Sequence, residues 1–200
     1  MTPRWQKMLK EYIEAMIIAF VLATFIRTFF VQAFKIPSGS MLETLQIGDH
    51  LLVNKIVYGI KMPMTEKFLW RFTEPQYEDI IVFEYPLDQN KDFIKRIVGL
   101  PGDTIEIRNK DLYRNGQKVS ELYTQHTDPR IIAGPRDNKA PITVPQDKFF
   151  VMGDNRDESH DSRFWGFVDR GKIKGRAWIL YWSWQGFNFI SWNRIGHFVH

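Results

Sequence analysis

Residues 92–119 read DFIKRIVGLPGDTIEIRNKDLYRNGQKV. Apolar and polar residues alternate here at period two, the period of a pleated strand. Pro101-Gly102-Asp103 breaks the run as a turn, and Asn115-Gly116 is a two-residue hairpin signal. Strands are therefore predicted at Asp92–Leu100, Thr104–Arg108, Asp111–Arg114 and Gln117–Val119. The same texture of short Val, Ile, Phe and Tyr runs predicts strands at His50–Tyr58, Asp79–Tyr85, Lys148–Met152 and Arg176–Trp184. No long helical pattern separates them, so the expected fold is mainly β and antiparallel. Residues 120–147 carry Pro129, Pro135, Pro141 and Pro145 and read as loop-rich. With the hairpin they make a smaller insertion over about 104–147. Residues 61–76 read as irregular, with Phe68, Leu69, Trp70 and Phe72 bunched together.

The front of the chain differs. Arg4, Lys7 and Lys10 precede an apolar run, Ala15–Ile26, that continues past Arg27 to Phe34. The uninterrupted part suits a signal-peptide h-region or a buried helix, but no A-x-A-like cleavage pattern follows Ile26. From Ile13 to Phe34 the stretch has the roughly 20 residues that a bilayer core needs. Its charges, Glu14 and Arg27, lie near the ends, where long side chains reach headgroups. An uncleaved transmembrane helix is expected, against the alternative of an amphipathic or core helix. The basic flank predicts a cytoplasmic N-terminus, with everything after Phe34 on the outer side. Residues 1–34 are thus expected as N-terminus and anchor, and 35–200 as the extracytoplasmic β domain.

The 200 residues are 44% hydrophobic and 25% charged, a globular composition, and a mean hydropathy of −0.31 excludes a multi-spanning protein. Cysteine is absent, which excludes thiol nucleophiles, zinc–thiolate sites and disulfide scaffolds. The net charge of +4 is spread among 23 acids with no basic face, so no nucleic-acid partner is expected.

Three segments carry chemistry. In Ile36-Pro37-Ser38-Gly39-Ser40-Met41 an extended chain would put Ser38 and Ser40 on one side, suited to a nucleophile and a hydrogen-bond donor. A plain linker turn is the alternative. In Phe93–Asp103, period two puts Lys95 on the face of Phe93 and Ile97, and Arg96 on that of Ile94 and Val98. Burial lowers a lysine pKa by up to about 3–5 units, enough to make the amine a base, whereas arginine stays charged. The alternative for Lys95 is a solvated edge-strand lysine. Gly153–Gly166 (GDNRDESHDSRFWG) is dense in hydrogen-bonding groups and holds itself rigid. It lacks EF-hand spacing, and Arg156 and Arg163 disfavour a cation, so no metal is expected.

In this order, and behind an apolar N-terminal segment, the three segments resemble the type I signal peptidase family. That family carries P-S-x-S-M, K-R-x-x-G-x-P-G-D and G-D-N-R-D-x-S-x-D-S-R boxes, matched here by Pro37–Met41, Lys95–Asp103 and Gly153–Arg163. The resemblance implies a membrane-bound serine endopeptidase with no cofactor. Its catalytic domain would lie outside the cytoplasmic membrane, and its substrates would be secretory preproteins with small residues at positions −3 and −1. It assigns Ser40 as nucleophile, Lys95 as general base, Ser38 as oxyanion-hole hydroxyl, Ser159 as the serine orienting the lysine, and Asp161 with Arg163 as a supporting ion pair. Phe34, Ile36, Met41, Leu45, Phe93 and Ile94 fall where the family builds its apolar substrate pockets. Glu43 departs from the family's usual proline, and Phe93 from a tyrosine common in some members. Two rivals remain at this point: a histidine-dependent hydrolase using His160, and a tethered domain that binds exported proteins without cutting them.

Overall fold

Helix α1 runs Arg4–Phe29 without a glycine or proline to break it, and no residue of it is buried. At a 1.5 Å rise per residue, its 26 residues reach about 39 Å, enough to cross a bilayer core of about 30 Å. It is the one helix among the described residues long and apolar enough to do so. The structure is a computed structural model that describes residues 4–62, 65, 68–185 and 189–200.

The apolar stretch counted to Phe34 does not stay helical to its end. Val31–Lys35 forms strand β1, antiparallel to β2 (Asp49–Asn54), with Phe34 opposite Leu51. Here a ladder partner overrides local hydropathy. The helix end is tied to the sheet: Lys55 N donates to Phe30 O at 2.9 Å, and Lys55 Nζ to Thr28 O at 2.6 Å. That side chain satisfies one of the carbonyls orphaned at a helix C-terminus.

The predicted strands form with small boundary shifts. They are β2, which stops at Asn54 short of the expected Tyr58, β5 (Ile80–Tyr85), β6 (Asp88–Gly99), β7 (Thr104–Arg108), β8 (Asp111–Arg114), β9 (Gln117–Lys118), β11 (Lys148–Met152) and β13 (Ile173–Gln185). Strands absent from the sequence reading are β1, β3 (Gly59–Lys61), β4 (Phe68–Arg71), β10 (Lys139–Thr143), β12 (Val168–Asp169) and β14 (Phe189–Ile190). Of these, β3, β12 and β14 are only two or three residues long, too brief to carry a pattern of their own. Of the stretch 61–76, residues 63, 64, 66 and 67 lie outside the described ones. Phe68–Arg71, read as irregular, instead pairs with β3.

The main sheet is antiparallel, in the order β1-β2-β13-β5-β6-β11-β12, with β14 on β13. A second sheet, β10-β7-β8-β9, lies within 104–143. Its hairpin turns at Asn115-Gly116, both with positive φ (53° and 80°), as that turn requires. Strand β6 feeds three apolar clusters. Ile94 packs against Ile80, Val82, Leu51 and Leu180; Phe93 and Ile97 join Ile81, Phe83 and Val151; Val98 joins Ile105, Leu112 and Phe150. Each such buried aliphatic contributes about 1.5–3 kcal/mol. The strand carrying Lys95 is thereby fixed on both faces.

Candidate active site

Lys95 lies in β6 opposite Ile81 of β5 and is only 4% exposed. Its neighbour Arg96 is buried too, on the other face. Two buried cations in succession need separate solutions. Arg96 is paired: Nε and Nη2 donate to the Asp154 carboxylate at 2.9 and 2.7 Å, and its guanidinium lies 3.9 Å from the Tyr123 ring centre. Lys95 has no carboxylate within salt-bridge distance among the described residues. Its Nζ donates to Ser40 Oγ at 2.5 Å and stands 5.7 Å from the Phe93 ring centre. Burial, foremost, brings the Lys95 ammonium down to about 8. The charges of Asp161 and Asp154 pull the other way, and Arg163 adds to the lowering.

Ser40 is held by its backbone. The segment between β1 and β2 bends at 38–40 instead of running extended, leaving Ser38 exposed and Ser40 8% exposed. The expected same-side alternation therefore does not apply. The Gly39-Ser40 turn provides the chain reversal that an extended strand could not. The 153–155 loop clamps this turn. Asn155 N donates to Ser40 O (3.2 Å), Asn155 Nδ2 to Gly39 O (3.1 Å), and Thr44 Oγ1 to Asp154 Oδ2 (2.6 Å). Asp154 thus joins the serine turn to the residue beside Lys95. Gly153 allows the approach: a Cβ there would overlap both the Ser40 carbonyl oxygen and the Ser159 side chain.

Asp161 and Arg163 form a buried pair, with Arg163 Nε and Nη2 each 2.9 Å from the carboxylate. Asp161 also accepts from Gly153 N (3.1 Å) and caps α2 (Ser162–Trp165) through Arg163 N. Burial pushes the Asp161 carboxyl up, but the Arg163 charge and these hydrogen bonds outweigh it and hold the pKa below the ordinary carboxylate value. Arg163 further donates to Arg136 O (2.7 Å) and Arg156 O (2.5 Å), tying the insertion to this loop. Ser159 is buried, its hydroxyl without a hydrogen-bond partner among the described residues, and it does not bond Lys95.

Of the six pocket residues, Ile36, Met41 and Leu45 are buried in one cluster with Phe34 and Ile94 at its edge. Phe93 is not brought to them. Period two turns it to the opposite face, where it stacks on Tyr85 at 4.3 Å. His160 is exposed and stacks on Phe164, with Nε2 3.3 Å from Tyr85 Oη; it does not contact Ser40. Among the described residues, no three His, Asp or Glu side chains converge on a metal-sized site.

Sequence reasoning did not assign roles to Arg96, Thr44, Asp154, Asn155 or Glu121. Arg96 had a usable signal, because an arginine between Ile94 and Val98 in a buried strand demands a carboxylate. Glu121, paired with Arg156 at 2.6 Å, had none.

A hydroxyl and a desolvated amine in direct contact, away from bulk water and from any histidine, are the parts of a serine hydrolase that uses lysine as its base. Comparison with known proteins narrows that class. Residues 9–182 match the family model described as signal peptidase, peptidase S26. Signal peptidase I of Pseudomonas aeruginosa is 34% identical over 226 residues, covering 96% of this chain and 80% of its own length. That of Leptolyngbya laminosa is 39% identical, covering 90% and 83%, and that of Pseudomonas fluorescens 34%, covering 90% and 74%. The chain belongs to the signal peptidase S26 family, and is a serine peptidase.

Proposed function

We propose that this protein removes N-terminal signal peptides from secretory preproteins, with Ser40 as nucleophile and Lys95 as general base. The contact between Lys95 Nζ and Ser40 Oγ inside an apolar strand carries this reading. The neutral amine takes the hydroxyl proton as Oγ attacks the scissile carbonyl. The Ser38 hydroxyl and the Ser40 N–H receive the oxyanion; one such donor is worth about 2.7–4 kcal/mol. As the tetrahedral intermediate collapses, the Lys95 ammonium gives its proton to the leaving amine and an ester to Ser40 remains. Lys95 then deprotonates a water that attacks this ester, freeing the serine. The Asp161–Arg163 pair holds the 153–163 loop rigid around the amine.

Phe34, Ile36, Met41, Leu45 and Ile94 bound the pockets for the small residues at −3 and −1, and Phe93, on the other face of β6, has no part in them. Larger side chains are excluded by overlap with a wall that is already packed. Helix α1 anchors the enzyme in the cytoplasmic membrane with its basic N-terminal flank inside and the β domain outside. A substrate tethered by its own signal segment then meets the site at raised effective concentration. Leu69, Trp70 and Phe72 are exposed on or beside β4 and dip toward the bilayer interface.

The test is cleavage of a preprotein bearing an A-x-A site by the purified full chain. Product cut after that site, lost in Ser40→Ala with folding intact, supports the reading. Binding without cleavage overturns it in favour of a tethered binding domain.

A further inference from the structure

A cleft of about 510 Å³ lies where α1 meets the β domain and shares no lining residue with the dyad. Its size is within the roughly 300–1,000 Å³ of ligand clefts. Thr28 and Phe29 from the helix end form one wall, and Lys55, Lys61, Lys174 and Glu84 supply the charge among its described lining residues. Glu84 is the one carboxylate among the described lining residues. Glu84 stands 3.5 Å from Lys174, which also meets Asp92 just outside at 2.8 Å. Lys61 is committed to the carbonyls of Gly171 and Ile173, at 2.6 and 2.5 Å. Lys55 spends one donor on Thr28 O and has no carboxylate within salt-bridge distance among the described residues. A lysine ammonium offers three donors, so two remain for something else. Burial and the nearby Lys174 charge both disfavour the Lys55 ammonium. A bound anion would reverse both effects.

We infer that this cleft binds a phosphate-ester oxyanion, held by Lys55 and Lys174. Ammonium groups are compact point charges suited to phosphate oxygens. The cleft opens at the last turn of α1. With α1 spanning the bilayer, as proposed above, that turn is at the depth of the lipid phosphates. The same chemistry would accept a soluble phosphate, so the test must separate the two sources.

The full chain is reconstituted in nanodiscs of phosphatidylcholine with and without phosphatidylglycerol, and the lipids retained on the released protein are counted by native mass spectrometry. Preferential retention of phosphatidylglycerol is expected. Replacing Lys55→Gln and Lys174→Gln together should weaken it about 25-fold, at about fivefold per lysine facing an anionic surface. Lys55→Arg with Lys174→Arg should restore it. In a second arm, inorganic phosphate is titrated into the detergent-solubilised chain and followed by phosphorus NMR. Phosphate binding that the glutamine pair abolishes, without lipid preference, assigns the cleft to a soluble ester. Equal lipid retention and equal phosphate response in wild type and the glutamine pair overturn the site. Should the pair not fold, Lys174→Gln alone carries the test, with about a fivefold effect. A chain that leaves the discs altogether refutes the spanning role of α1, and the phosphate arm still decides the cleft.

Discussion

Lys95 Nζ and Ser40 Oγ are 2.5 Å apart although 55 positions separate the two residues in the chain. The amine comes from a strand fixed by apolar clusters on both faces; the hydroxyl comes from a turn clamped by the 153–155 loop. The pair therefore has little freedom to separate, and a nucleophile within reach of its base is a geometric requirement for proton transfer.

Activity should track the neutral amine. With Lys95 near 8, kcat/KM is expected to rise about tenfold per pH unit below that value and to level off above it. The folded-state value lies below the ordinary 10.5, so the folded chain sheds this proton first. The lysine's contribution to stability then grows between about pH 8 and 10.5 and is flat below. Lys95→Arg keeps the charge but cannot deprotonate, and should lose about 10⁴-fold in kcat. A pH–rate profile with both proteins checks this; full activity in Lys95→Arg would remove lysine from the mechanism.

Asp154→Asn should cost about 3–5 kcal/mol, because it leaves the Arg96 guanidinium buried without its counter-charge. It also weakens the Thr44 bond that positions the serine turn. Urea unfolding gives the first effect and kcat the second. A loss below about 1 kcal/mol would mean that Arg96 finds water.

Gly153→Ala places a methyl group against the Ser40 carbonyl and the Ser159 side chain. Overpacking of this kind costs about 1–3 kcal/mol. Because the displaced atoms include the nucleophile's own backbone, kcat should fall more than stability does. Unchanged kcat alongside a lowered Tm would show that the strain relaxes away from Ser40.

His160→Ala should leave kcat within about twofold, since the ring is exposed and packs on Tyr85 and Phe164 instead of the nucleophile. A fall of a hundredfold or more would favour histidine as the base.

In a fragment lacking residues 1–29, which keeps β1, changing Trp70 and Phe72 to serine should reduce liposome binding by at least about tenfold, given the apolar area lost. Co-sedimentation measures it; unaltered binding would place another face at the bilayer.

The β architecture was legible because period-two runs and strong turn signals coincide, as at Asn115-Gly116 and Pro101-Gly102-Asp103. Strand β1 was not, since VQAFK continues an apolar stretch and only its register with β2 makes it a strand. For the site, Lys95 could be placed on the Phe93 face by alternation alone. Ser38 and Ser40 could not be placed this way, because the rule assumes an extended chain and the segment bends. The clamp by Asp154 and Asn155 was hidden for a different reason. It joins residues more than a hundred positions apart, and no local pattern encodes such a contact.

A single residue, Phe30, separates the last turn of α1 from β1, and Lys55, just past β2, bonds both Thr28 and Phe30 at this junction. Such a junction leaves no slack for the protease to bob or swivel on a leash. With α1 embedded in the membrane, the cutting edge stands at one fixed height above the lipid. The enzyme would then gauge where along an emerging chain a bond can be cut, as well as which residues flank it.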